Sequence, residues 1–299
     1  MGPAVPRQNG YIPRMTAEVA TLLVACPDRK GLVASLAQVL YGHGANILDS
    51  DQHSDPIASM FFQRLRFDLS SLTTDRVALE AGIREVGARF EMDWKLSYAE
   101  RVRKIAVFAS KQEHCLYDLL IRHRAGELAC EIAMVISNHA DAEPIARHFG
   151  VPFHHVPVTA ETKTAAEAAA HELIAASGVE LIVLARYMQI LSPGFVTRYP
   201  AKIINIHHSF LPAFVGANPY KQAYEKGVKM IGATSHYVTA ELDQGPIIEQ
   251  AVIECSHRDL VDDLVRKGRD LEKRVLAQAV RNHLDDRILV YAGKTVVFN

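Results

Sequence analysis

The sequence predicts an α/β chain in two parts: a ferredoxin-like βαββαβ unit, then a larger unit on a mostly parallel sheet. Three observations predict it. Residues 17–98 read as strand, helix, strand, strand, helix, strand. From residue 105 onward, apolar strands alternate one by one with helical segments, the pattern of a sheet covered by helices on both faces. Between them, residues 99–104 are charged and read as a linker. Residues 1–16 carry no apolar run of the signal-peptide kind and read as a flexible leader.

The first unit opens with VATLLVAC (Val19–Cys26), a short apolar run that reads as a buried strand. After the loop PDRKG, the spacing of Leu32, Leu36, Val39 and Leu40 marks one helix face, closed by Gly42 or Gly44. ANILDSDQHSD and MFFQRLRFDLS follow as strands. Thr74 is placed to cap the helix carrying Val77, Ile83 and Val86, and EMDWKLSY closes the unit. Asp28 can accept from the amides of the first helix, and Gly31 lets the backbone approach a ligand closely.

In the second unit (residues 105–299), the strands are read at IAVFAS, EIAMVISN, PFHHVPV, LIVLAR and IINIH. Helices fall between them, including one opened by Pro193, where the missing N–H costs little. KMIGATSHYV and GPIIEQAVIEC read as further strands. A long helix follows, with Ser256 and Asp259 at capping-box spacing, and then a hairpin turning over Gly293.

Composition narrows the function. Of 299 residues 49% are hydrophobic, and 33 Lys+Arg balance 34 Asp+Glu, so no basic excess points to nucleic acid or to a membrane surface. No apolar stretch is long enough to span a bilayer. Cys26, Cys115, Cys130 and Cys255 form no Cys-x-x-Cys pair. That pattern predicts reduced thiols in the cytoplasm and no structural zinc. Gly-x-Gly-x-x-Gly, Walker and Gly-x-Ser-x-Gly signatures are absent.

The stretch IINIHHSFLPAF (Ile203–Phe214) carries the chemistry. Side chains on a strand alternate faces, so Asn205 and His207 share a side, with His208 on the other. Ligands of open α/β sheets sit at the carboxyl ends of strands. The stretch ATSHYVTAELDQGPIIEQ adds His236 and, in a turn before Gly245, Asp243. An amide that donates to a developing oxyanion, an imidazolium that polarises a carbonyl while a carboxylate holds it, and that carboxylate as the base for water make a set suited to acyl chemistry. A metal site from His207, His208 and His236 is disfavoured, because adjacent strand residues face opposite ways.

Residues 17–98, above all CPDRKGLVASLAQVLYGHGANILD, resemble the ACT domain. Such domains commonly bind a small effector at the turn here spanning Asp28–Gly31, and they usually pair, which implies a small amino-acid effector and a homo-oligomer. NIHHSFLPAF together with SHYVTAELDQGPIIEQ resembles the formyltransferase family that uses 10-formyltetrahydrofolate, on a Rossmann-like fold. The resemblance implies that Asn205, His207 and Asp243 are the catalytic trio. It also implies that Met188, Ile190 and Leu191 line the folate pocket. His236 and Gly216 (the latter in Ser209–Tyr220, read as a loop over the site) are placed with the substrate. No metal or other cofactor is implied; the folate is substrate.

One departure bears on the acceptor. Family members that formylate glycinamide ribonucleotide hold its phosphate on a Gly/Ser/Asn-rich loop after the first strand. Here that segment is ASKQEHC, Ala109–Cys115. Members that act on methionyl-tRNA carry an added C-terminal module, which is not seen before Asn299. Water is the acceptor that needs no binding loop, so hydrolysis of 10-formyltetrahydrofolate is expected. The alternatives are transfer to an unrecognised amine and a non-catalytic folate-binding regulator.

Overall fold

The computed structural model describes residues 18–212 and 219–298. The chain divides into two compact units after Arg101. The leader and Gly216 lie outside the described residues.

The first unit contains β1 (Val19–Pro27), α1 (Leu32–Gly42), β2 (Asn46–Asp55), β3 (Met60–Asp68), α2 (Arg76–Phe90) and β4 (Asp93–Tyr98). Its sheet runs β2-β3-β1-β4, with every neighbouring pair antiparallel. Leu32, Leu36 and Leu40, one helical face of α1, pack with Leu79, Ile83 and Val86 of α2 against Leu22 and Val24 of β1. Each such side chain contributes about 1.5–3 kcal/mol on burial. Asp75, not Thr74, caps α2. The helix begins one residue later than expected, and the Asp75 carboxylate accepts from Ala78 N at 2.8 Å. The Thr74 hydroxyl pairs with His43 Nδ1 instead.

The second unit contains β5 (Arg103–Ala109), α3 (His114–Arg124), β6 (Cys130–Ser137), α4 (Glu143–His148), β7 (Phe153–His155), α5 (Lys163–Ser177), β8 (Leu181–Ala185), α6 (Pro193–Val196) and β9 (Ile203–His207). After these come α7 (Pro219–Lys226), β10 (Met230–Tyr237), β11 (Ile247–Glu254), α8 (Val261–Leu284), β12 (Ile288–Tyr291) and β13 (Lys294–Val297). The large sheet runs β11-β10-β9-β8-β5-β6-β7. The five strands from β9 to β7 are parallel, and β10 lies antiparallel to both of its neighbours. Every residue of β8 is buried, as expected of a strand covered on both faces.

The chain builds β5, β6 and β7 outward, then returns to β8 on the opposite side of β5. That reversal opens a crevice at the carboxyl ends of β5 and β8, the usual ligand position in such sheets. β12 and β13 form the expected hairpin, with Ala292 (φ 47°) and Gly293 (φ 74°) in its two-residue turn.

The start of α8 differs from the sequence expectation. Residues 256–259 form a turn closed by Asp259 N donating to Ser256 O, and the helix begins at Val261. Asp263 then reaches back to accept from Leu260 N at 2.9 Å. Ser256 and Asp259 have the spacing of a capping box, but their carboxylate and hydroxyl are spent on Ser256 N and Arg258 N within the turn.

Candidate active site

A cavity of about 680 Å³ opens at the crevice. Residues following β5, β8 and β9 line it, together with the β10–β11 connection and one face of α8. The structure brings together Asn205, His207, Asp243, His236, Met188, Ile190 and Leu191 on its walls. Asp28 and Gly31 lie in the first unit, exposed at the start of α1.

Strand register assembles the polar centre. In the antiparallel β9–β10 pair, Asn205 lies opposite His236, and His207 opposite Thr234. Asn205 Nδ2 and His236 Nε2 are 3.3 Å apart. A bulge between Ser235 and His236 shifts the β10–β11 register just before the Asp243 turn. Asp243 has φ 55°, a left-handed conformation that Asp tolerates better than most residues. Its Oδ2 sits 3.3 Å from His207 Nδ1, and its Oδ1 sits 3.6 Å from His236 Nε2. The His207 contact first, and then the His236 contact, hold the Asp243 carboxyl far below the usual carboxylate range, against the opposing effect of burial. His236 Nδ1 donates to Tyr237 O at 2.9 Å.

One atom in this network stands out. His207 is 7% exposed, and its Nε2 is buried with no hydrogen-bond partner among the described residues. A buried polar atom left unpaired costs roughly 1–3 kcal/mol, so a native structure that keeps one has a use for it. With Nδ1 held by Asp243, Nε2 is free to meet a ligand.

The apolar wall comes from Met188, Ile190 and Leu191 after β8, and from Val238 and Leu242 on the far side. Met188 and Ile190 are 57% and 61% exposed, a large apolar surface gathered at one concave place.

Polar residues of this site that were not found in the sequence include His114, Arg186, His208, Tyr220 and Glu272. Glu272 is 1% exposed and is their hub. It takes His114 Nε2 at 2.7 Å, the Tyr220 hydroxyl at 2.5 Å and Arg186 Nε at 3.5 Å. Burial pushes its carboxyl up, but His114, Arg186 and Tyr220 together outweigh that and leave it below the ordinary value. A signal was present. Glu272 interrupts the apolar stripe Leu264, Gly268, Leu271, Val275, Leu276 of α8, where an acid is out of place unless partnered.

His208 corrects an expectation. Strand alternation puts it opposite His207, but β9 ends at His207, so alternation no longer governs the next residue. The two rings stack at 5.2 Å between centroids, and both line the cavity. Facing direction is therefore no argument against a histidine metal site here. Among the described residues, the group with ligand atoms close enough for a metal is His114, Cys115 and Glu272. There the carboxylate already holds two hydrogen bonds and a guanidinium, which compete with a cation.

The chain matches the formyl transferase family over residues 103–280 and the ACT domain over residues 20–88. It is 52% identical to the formyltetrahydrofolate deformylase of Synechocystis, covering 93% of this chain and 98% of that one. It is 48% identical to the enzyme of the same name from Bacillus subtilis, covering 93% of each chain. The crystal structure of a formyltetrahydrofolate deformylase from Pseudomonas syringae superposes with a TM-score of 0.92 at 44% identity, covering 96% of both chains. A glycinamide ribonucleotide transformylase from Symbiobacterium toebii superposes with a TM-score of 0.64 at 36% identity, covering 69% of this chain and 98% of that one.

Proposed function

Because the chain belongs to the formyl transferase family, and within it to the formyltetrahydrofolate deformylases, we propose that Asn205, His207 and Asp243 perform its hydrolytic step. The reaction converts 10-formyltetrahydrofolate and water to tetrahydrofolate and formate. The folate rings lie against Met188, Ile190 and Leu191. The formyl oxygen lies between Asn205 Nδ2 and the unpartnered His207 Nε2, the observation that carries this reading. Asp243 holds His207 through Nδ1 and takes a proton from the attacking water. His236, on the neighbouring strand, sets its Nε2 3.3 Å from Asn205 Nδ2 and 3.6 Å from Asp243 Oδ1.

The acceptor side supports water. After β5 the Ser110 hydroxyl is buried, donating to Asn138 Oδ1 at 2.6 Å and accepting from Met188 N at 3.0 Å, so it is tied into the scaffold. The start of α3, where a phosphate would meet free amides, faces the Glu272 carboxylate through His114.

The test is a stoichiometry. Formate and tetrahydrofolate form from 10-formyltetrahydrofolate in buffer alone, and glycinamide ribonucleotide neither accelerates consumption nor becomes formylated. Consumption that requires that amine, or rises in proportion to it, makes water the wrong acceptor.

The ACT domain supports a small-molecule effector, here proposed to be an amino acid bound at Asp28–Gly31. No side chain caps α1, and Gly31 (φ 92°) has open space where a Cβ would stand, so backbone amides are exposed at this turn. An amino acid is expected to change rate or affinity, and Gly31→Val to abolish the response. A screen of amino acids without effect on rate, affinity or assembly leaves this unit a scaffold. The same reading makes the chain a homo-oligomer. All four cysteines are free thiols, which supports a cytoplasmic setting. Among the described residues, no helix is long and apolar enough to cross a membrane.

A further inference from the structure

Hydrolysis sets a requirement that the trio leaves half met. Asn205 and His207 serve the oxygen of the formyl group, and Asp243 accepts one hydrogen of the attacking water. The second hydrogen needs its own acceptor if the lone pair is to point at carbon.

His208 offers a candidate acceptor from the wall of the same cavity. It follows β9 directly, with its ring stacked against His207 at 5.2 Å and 29°. The Tyr220 ring packs at 6.2 Å, and the cavity is open beside it. Among the described residues, none hydrogen-bonds to either of its ring nitrogens. Four charged or titratable groups bear on it: Arg186 from the end of β8, its neighbour His207, Glu272 from α8 and Asp243 from the β10–β11 connection. Burial first, then Arg186 and His207, push its pKa down to about 4, so at neutral pH the ring is uncharged and one nitrogen carries a lone pair.

We propose that His208 is a water-holding residue of the hydrolytic site, its imidazole accepting the second hydrogen of the attacking water while Asp243 takes the first. The proposal rests on the hydrolytic reading above. The water oxygen bonds to the formyl carbon as one proton passes to Asp243. The carbonyl π pair moves to oxygen, between Asn205 and His207. On collapse the C=O bond re-forms, and the C–N10 pair returns to N10, which takes the proton from Asp243. Tetrahydrofolate and formic acid result, and the acid ionises to formate.

The test uses the full chain and hydroxylamine, a nucleophile that attacks without needing its proton removed first. His208→Ala is expected to lower formate release roughly 10–10²-fold, the scale of one lost orienting hydrogen bond. Its KM for the folate should stay within about threefold. At fixed hydroxylamine, its ratio of formohydroxamate to formate should rise about tenfold. His208→Gln, whose amide oxygen can take the same hydrogen, should recover part of the hydrolysis. Formate release by His208→Ala within about threefold of the parent overturns the proposal. So does an equal loss toward water and hydroxylamine, which would mean that the ring only supports its neighbours. A parent chain that releases no formate in buffer is a different result and overturns the hydrolytic reading itself.

Discussion

Asp243→Asn is expected to lower turnover by at least 10²–10³-fold, the scale seen when one element of a preorganised polar site is lost. The change keeps the size of the side chain and removes two functions at once. An amide cannot take the proton of the attacking water. It also places an N–H or a neutral oxygen opposite His207 Nδ1, where a carboxylate now stands at 3.3 Å and fixes which nitrogen is free. Binding of tetrahydrofolate should survive, because Met188, Ile190 and Leu191 form a wall apart from this turn. The measurements are single-turnover formate release and equilibrium folate binding. Turnover within about threefold of the parent would sink the proposed mechanism.

The same substitution carries a pH signature. The folded-state pKa of Asp243 is depressed, so its ion pairs contribute stability that is complete above the ordinary carboxylate value, about 4. That contribution is lost as pH falls through the folded value. The stability advantage of the parent over Asp243→Asn should therefore shrink as pH falls below about 4. An advantage that grew below that pH would mean that Asp243 is not held as a carboxylate.

How much of this was legible in the sequence depends on the range of the interaction. Asn205 and His207 were legible because strand alternation is local, and the structure shows both at the end of β9. Asp243 was legible as a turn residue before a glycine, and its motif tied it to the same chemistry. His208 was misread because alternation was carried one residue past the end of its strand. Glu272 lies 158 residues from His114 and 52 from Tyr220, and no local pattern announces partners at such separations. Its place on an apolar stripe was the only hint. The misplaced caps at Thr74 and Ser256 failed differently: each has the right residue type nearby, and a hydrogen-bond contest decided within a few residues moved the helix start.

Gly245→Ala is expected to lower turnover by roughly 10²-fold or more, although residue 245 touches no substrate in the proposed mechanism. A Cβ at this position would stand 1.6 Å from Tyr237 O and 2.8 Å from Tyr237 C. Both are backbone atoms of β10, so no rotamer change relieves the clash, and the turn must move away from the strand. One bond resists that movement: Tyr237 N donates to Pro246 O at 2.9 Å. The clashing atom, Tyr237 O, also accepts from His236 Nδ1 at 2.9 Å, and the added Cβ would stand 3.2 Å from that nitrogen. Displacing the turn therefore moves Asp243 relative to His207 and disturbs His236 in the same step. A shift of about 1 Å in a catalytic group is enough to cost two orders of magnitude. Overpacking should also lower stability by about 1–3 kcal/mol. Gly293→Ala is the matched control. It sits at φ 74° with open space around the added methyl and is not part of the cavity lining. It should lose about 1–2 kcal/mol from left-handed strain and keep its turnover. If Gly245→Ala melts like the control and turns over within about threefold of the parent, then close approach to Tyr237 does not position Asp243.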